Sequence, residues 1–218
     1  MLLAKPKRLK RRIKQALGLR TERPPFQGRY YRRARKLLLD VVDLFNAADL
    51  PYRLDAGTLL GIVRDGDLIP WDNDIDLVLP ASAVPRLKRL YPRIFLLGWK
   101  VSHTYRMPFA HDAWPAGAPR VIKIRSWNPW LFGAGSTLMD ITIMHRHQGA
   151  YFWEMANKVC RVDAPVFDDA ETLQYADRKL KVPRNCEAYL TQLYGDWRTP
   201  DPTFHHDQFG IISDRRDA

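Results

Sequence analysis

The segment Pro70-Trp71-Asp72-Asn73-Asp74-Ile75-Asp76-Leu77-Val78-Leu79 carries an acid at every second position from Asp72 to Asp76 and ends apolar. A period of two predicts a strand over Ile75 to Leu79. Carried back through the acids, it sets Asp72, Asp74 and Asp76 on one face and Ile75, Leu77 and Leu79 on a core face. Alternate Cα atoms on a strand lie about 7 Å apart, so neighbouring carboxylates on one face can lean together. Two ionised carboxylates at about 4 Å repel by roughly 4 kcal/mol at an effective dielectric near 20, a large share of a domain's stability. A hard divalent cation would offset that, and Mg²⁺ commonly binds through one or two carboxylates plus substrate phosphates. Acids on a solvated turn would explain an isolated Asp-x-Asp equally well.

Two further segments narrow the choice. Met139-Asp140-Ile141 places one acid among apolar residues, and an acid on an apolar strand is costly unless it is paired or binds metal. Asp140 is the third member of the cluster, either as a metal ligand or as the base that takes a proton from an acceptor hydroxyl. Upstream, Gly57-Thr58 opens a helical pattern. Its free N–H groups and positive dipole end could meet a phosphate, with Gly57 allowing close approach. Arg64 and Lys123, the latter isolated between Val121, Ile122 and Ile124, are the candidates for neutralising phosphate oxygens.

The remaining pattern reads as α+β. Helical spacing covers Tyr30 to Ala48, and strands are expected at Tyr52 to Ala56, Lys100 to Tyr105, Arg120 to Trp127 and Leu138 to Met144, with a helix over Ala81 to Leu90. From Tyr151 onward the chain reads as mainly helical. The charge is unevenly divided. The formal net charge is +11, but residues 1–36 hold fourteen Lys/Arg against Glu22 alone, leaving 21 basic and 23 acidic residues elsewhere. The basicity belongs to an N-terminal arm, and nucleic-acid binding by the domain is disfavoured. Arg29 to Lys36, with Tyr30 and Tyr31 interleaved, keeps a non-enzymatic nucleic-acid reading open.

Within the arm, Leu9, Ile13 and Leu17 form a stripe on a basic helix of the kind that lies on an anionic membrane. The expected organisation is an arm and linker over residues 1–28 and a catalytic domain over residues 29–218. No apolar run is long enough to span a bilayer, and the start lacks a secretory h-region. A cytoplasmic location is expected, with peripheral contact at the inner face of the membrane through residues 1–20. Cys160 and Cys186 suggest neither a disulfide framework nor a zinc site. His145, His147, His205 and His206 lack zinc spacing, and Trp114, Trp127, Trp130 and Phe132 could either pack or cage a quaternary ammonium.

Gly57-Thr58-Leu59-Leu60-Gly61, Arg64 and Ile69-Pro70-Trp71-Asp72-Asn73-Asp74-Ile75-Asp76 together resemble the signature of the LicD/fukutin family, with Lys123 and Tyr194-Gly195-Asp196-Trp197 as softer matches. The resemblance implies a nucleotidyltransferase-fold mixed sheet flanked by helices, in which Asp74, Asp76 and Asp140 serve Mg²⁺ or Mn²⁺ and catalysis. It places Gly57, Thr58, Arg64 and Lys123 at the substrate and Asp72 behind the metal pair. The implied reaction moves phosphocholine or a similar phospho-substituent from a CDP-activated donor to a sugar hydroxyl of a glycan or glycolipid, as in lipopolysaccharide modification. Transfer of the nucleotidyl unit itself remains the alternative.

Overall fold

The computed structural model describes residues 25–127 and 137–215. Helix α1 (Gly28–Ala47) buries Ala34, Leu37, Leu38, Val41, Val42 and Phe45, while Arg29, Arg32 and Arg33 stay exposed. It is followed by the two-residue strand β1 (Arg53–Leu54), helix α2 (Ala56–Arg64) and strand β2 (Ile75–Pro80). A 3₁₀ turn at Ala81–Ala83 leads into α3 (Val84–Arg89) and α4 (Tyr91–Leu96), separated at Leu90 ahead of Pro92, which cannot continue a helix as a donor. Then come β3 (Trp99–Arg106), β4 (Pro119–Ser126) and the long β5 (Thr137–His147).

The main sheet is mixed. β2 pairs antiparallel with β1 and parallel with β5, and β4 pairs antiparallel with both β5 and β3. Met139, Ile141 and Ile143 of β5 and Ile122 and Ile124 of β4 are completely buried in the core that also holds the apolar stripe of α1. The α+β class and a mixed sheet flanked by helices are as expected.

The C-terminal third departs from the expected helices. β5 continues past its partners and pairs through His145–His147 with β6 (Ala150–Met155), which pairs with β7 (Lys158–Asp163). A short helix α5 (Pro165–Asp168) precedes a separate hairpin of β8 (Ala170–Tyr175) and β9 (Arg178–Pro183), and α6 (Cys186–Tyr194) and β10 (Ile212–Arg215) follow. The reason is turn chemistry. Gln148-Gly149 and Ala156-Asn157 take positive φ at both positions, the geometry that closes two-residue hairpins, so the residues between them form a strand paired on both sides.

The domain boundary also moves. Phe26 is buried, its ring stacks on Tyr30, and its amide donates to the Asp72 carbonyl at 2.7 Å. The folded unit therefore includes residues assigned above to the linker. Residues 1–24, and with them the proposed membrane helix, lie outside the described residues. Among the described residues no helix is long and apolar enough to cross a membrane.

Asp67 fastens the loop between α2 and β2 to the rest of the fold. Tyr31 Oη and Tyr175 Oη each donate to its carboxylate at 2.5 Å, and the Leu68 amide donates at 2.8 Å. Burial alone would push this carboxyl up, but the two phenols, the Leu68 amide and Arg35 together hold it below the usual carboxylate range. A carboxyl depressed in the folded state stabilises fully above its unfolded pKa of about 3.9, and that contribution fades as pH falls through the folded value. Denaturant melts of Asp67→Asn should therefore show a loss of stability at neutral pH that narrows towards wild type in acid.

Candidate functional site

Asp76 and Asp140 face each other in register on the parallel strands β2 and β5, and Lys123 of β4 is the register partner of Asp140 on the other side. Paired residues on adjacent strands share a face at a spacing of about 4.8 Å, so Asp76, Asp140 and Lys123 form a row across three strands. The Lys123 ammonium donates to Asp140 Oδ2 and lies 5.5 Å from the Tyr105 ring centroid. The backbone of Asp76 is held from the β1 side: its amide donates to Thr58 Oγ1 at 2.9 Å, and its carbonyl accepts from the Asp55 amide at 3.2 Å.

Two cavities meet along this row. The larger, about 650 Å³, is walled by Gly57, Arg64, Trp71, Asp72, Asp74 and Asp76, and on its far side by Tyr194, Asp196, Trp197, Phe204, His205, His206 and Phe209. The smaller, about 280 Å³, is walled by Asp55, Asp76, Tyr105, Arg120, Lys123, Asp140 and Glu154. Asp76, Ala56, Met155 and Phe209 line both. Asp76 thus stands where one space opens towards Asp74 and Arg64 and the other towards Asp140 and Lys123.

Several expected roles change. β2 begins at Ile75, so Asp72 and Asp74 belong to the loop before it and only Asp76 projects from the strand. Asp72 is anchored locally, its Oδ1 accepting from the Asn73 amide at 2.7 Å. A Cβ on Gly57 would overlap Asp72 Oδ2, so the close approach permitted by this glycine is used by a carboxylate of the protein itself. Thr58 is buried, and its hydroxyl serves the Asp76 amide instead of opening to a ligand. Arg64 does reach the larger cavity, with its guanidinium forked onto Asp65 at 2.8 and 2.7 Å and 5.9 Å from the Trp71 ring centroid. Arg64 and Lys123 therefore serve different cavities.

Among the described residues no set of three His, Cys, Asp or Glu side chains is arranged to hold a metal ion. The three-carboxylate centre of Asp74, Asp76 and Asp140 is not assembled as such, because the Lys123 ammonium engages Asp140. The pair of hard oxygen ligands on the larger cavity, Asp74 and Asp76, still fits an ion that takes its remaining ligands from a phosphorylated substrate. The local field is negative. Burial, followed by the charges of Asp55, Asp76 and Asp72, drives the Tyr194 phenol well above its usual range. Burial likewise raises the Asp55 carboxyl despite the hydrogen bond it accepts from Tyr189 Oη at 2.7 Å.

The aromatic candidates separate. Trp114 is buried, stacks on His111 at 4.6 Å and donates to the Phe109 carbonyl, which makes it a packing residue. Trp127 lies against Phe95 at another corner, and Trp130 and Phe132 fall outside the described residues. His145 is buried at the Pro119 carbonyl, 2.9 Å away, and burial lowers its pKa, whereas His205 and His206 wall the larger cavity. Tyr30 and Tyr31 turn inward to the Asn73 carbonyl and the Asp67 carboxylate, which removes the aromatic support for nucleic-acid stacking. Trp71, Tyr194, Asp196 and Trp197 also wall the larger cavity, and the only sequence signal for them is their place inside the two matched motifs. Phe204 and Phe209 carried no signal.

A sequence profile of the LicD/FKTN/FKRP nucleotidyltransferase domain matches residues 49–116. Over this segment the chain is similar to that family. Ribitol 5-phosphate transferase FKRP of Mus musculus is 42% identical over 70 residues, which is 30% of this chain and 14% of that protein. The human protein of the same name is 48% identical over 50 residues, 23% of this chain and 10% of that protein. An uncharacterised protein of Rickettsia prowazekii is 32% identical over 68 residues, 31% of this chain and 26% of its own length. The matches thus span only a small part of these relatives. Among solved structures, ANT(2")-Ia in complex with adenylyl-2"-tobramycin aligns with a TM-score of 0.42 and 20% identity, covering 68% of this chain and 67% of that one.

The two glycines of α2 face different neighbours, and their substitutions should differ accordingly. A Cβ at Gly61 would lie 2.6 Å from the Asp67 backbone carbonyl, which cannot swing aside. Gly61→Ala should cost about 1–3 kcal/mol in urea unfolding. Gly57→Ala meets only the tip of the Asp72 side chain and should cost less, and in an Asp72→Ala background it should cost almost nothing further.

Proposed function

We propose that this chain is a metal-dependent transferase that moves a phospho-substituent, such as phosphocholine or a polyol phosphate, from a CDP-activated donor to a sugar hydroxyl of a glycan or glycolipid. The observation that carries this reading is the Asp76–Asp140–Lys123 row at the junction of two cavities, with Asp74 and Arg64 on the larger one. The LicD-type segment and the relatives named ribitol 5-phosphate transferase supply the reaction class.

The larger cavity suits the donor. Its volume and its wall of Trp71, Tyr194, Trp197, Phe204 and Phe209 offer apolar faces for a nucleobase, and Arg64 offers charge for a phosphate. Mg²⁺ or Mn²⁺, bound through Asp74, Asp76 and donor phosphate oxygens, would neutralise charge on the diphosphate. The smaller cavity suits the acceptor. There Asp140 takes the proton of the sugar hydroxyl as that oxygen bonds to the donor's distal phosphorus. The bond from this phosphorus to the bridging oxygen breaks, and cytidine monophosphate leaves towards Arg64. Lys123 orients the Asp140 carboxylate through its hydrogen bond. Peripheral membrane contact through residues 1–20 would bring the domain to a lipid-linked acceptor.

The family profile's description as a nucleotidyltransferase domain favours a second reading, transfer of the nucleotidyl unit. Incubation with Mg²⁺ and a panel of CDP-activated donors separates the two. Release of cytidine monophosphate is expected, and release of pyrophosphate from a nucleoside triphosphate would replace this reading by the second. Asp74→Asn and Asp76→Asn should each lower turnover about a thousandfold or more while the thermal midpoint holds or rises, since each removes charge from a repelling cluster. Asp140→Asn should lower kcat by about 10²–10⁴ and leave the donor Kd within about threefold, as a group acting on the acceptor would. Loss of donor affinity in that variant would make Asp140 a metal ligand instead.

A further inference from the structure

The helix α4 ends in an apolar corner that the transferase reading does not use. Ile94 turns into the core, but the next three residues face outward: Phe95 is 49% exposed, Leu96 83% and Leu97 41%. Gly98, at positive φ, then turns the chain into β3. The Trp127 ring lies 5.6 Å from Phe95 and carries the Lys100 ammonium 4.7 Å from its centroid. Among the described residues Phe95 meets the Trp127 ring, but Phe95, Leu96 and Leu97 all lie outside the buried hydrophobic clusters, and a contiguous exposed patch of this kind marks a contact surface.

The charge around the corner has one sign. Between Asp76 and Asp112 the sequence holds six Lys/Arg and no acid. Lys88, Arg89 and Arg93 are exposed and form no ion pair among the described residues, while Arg86 is turned towards the Ala48 and Asp49 carbonyls. Apolar residues at the tip and exposed cations behind them match the layering of an anionic bilayer, in which acyl chains lie beneath negatively charged headgroups.

We propose that Phe95, Leu96 and Leu97, backed by Lys88, Arg89, Arg93 and Lys100, insert into the surface of an anionic membrane. This contact belongs to the folded domain and is separate from residues 1–24. Its place in the sheet gives it a use. Trp99 pairs with Ser126 and Arg125 with Thr137, so the corner lies at the end where β5 begins, three residues before Asp140. On the transferase reading, docking by this corner holds the carboxylate end of the sheet near a lipid-linked acceptor. The docking itself does not require that reading.

The test places an environment-sensitive NBD label on Leu96→Cys in the full chain carrying Cys186→Ser, with Cys160 buried and unlabelled. Vesicles of phosphatidylcholine with phosphatidylglycerol should blue-shift and brighten the label, whereas phosphatidylcholine alone should not. The same label on Gln174→Cys, in the β8 hairpin, should not respond. In the unlabelled full chain, Leu96→Glu/Leu97→Glu should lower partitioning onto the anionic vesicles about tenfold. Turnover of a soluble acceptor should be unchanged, so that loss of docking and loss of chemistry are read separately. A silent label at position 96 on protein that sediments with vesicles would assign membrane contact elsewhere and overturn the proposal. Absence of vesicle binding would overturn it as well. So would a blue shift without lipid that grows with protein concentration, which marks a second copy of the chain, or an equal shift with polyglutamate, which marks an acidic protein partner.

Discussion

The register between β2 and β5 sets two like charges side by side, and much of the surrounding structure holds them there. Asp76 and Asp140 sit on adjacent parallel strands, where a spacing of about 4.8 Å makes their mutual repulsion substantial unless it is answered. Lys123 answers it from the third strand at Asp140, and the hydrogen bonds from Asp55 and to Thr58 fix the Asp76 backbone from the other side. A one-residue slip of β2 against β5 would send Asp76 into the core and Ile75 or Leu77 into the cavity. The buried neighbours Ile75, Leu77, Met139 and Ile141 therefore secure the acidic row as well as the core.

Asp74 and Asp72 depend on a different device. They lie in a loop, and loops are positioned by what they pack against. This loop is pressed onto the glycine face of α2, where Gly57 admits the Asp72 carboxylate and Gly61 admits the Asp67 carbonyl. It is then tied by Tyr31 and Tyr175 to Asp67, by Tyr30 to the Asn73 carbonyl and by the Phe26 amide to Asp72. The motif Gly-Thr-Leu-Leu-Gly works here as the seat for the acidic loop, and the glycines are spaced one helical turn apart because the loop runs along that face.

This division explains what was legible in the sequence. The alternation around Asp76 and the lone acid at Asp140 announced their strands because a half-buried strand imprints a period of two, and the helix carrying Arg64 announced itself through its apolar spacing. Thr58 was misjudged because a hydroxyl at a helix start looks the same whether it meets a ligand or a neighbouring strand; only the long-range bond to Asp76 decides. The segment from Tyr151 reads as mainly helical and folds as strands, since Ala156-Asn157 lacks the glycine that usually flags such a turn. Phe204 and Phe209 reach the larger cavity through a return of the chain after α6 that no local pattern encodes.

The entry of the chain into the fold carries a mechanical consequence. Phe26 is anchored by its buried ring and by its amide on the Asp72 carbonyl, two residues from Asp74. Any tension applied through residues 1–24 therefore reaches the fold at the acidic loop before it reaches the helices of the core. Phe26 and the wall of the larger cavity are in this sense one mechanical piece, since the residue that carries the chain into the fold also holds the carbonyl of a cavity-lining aspartate.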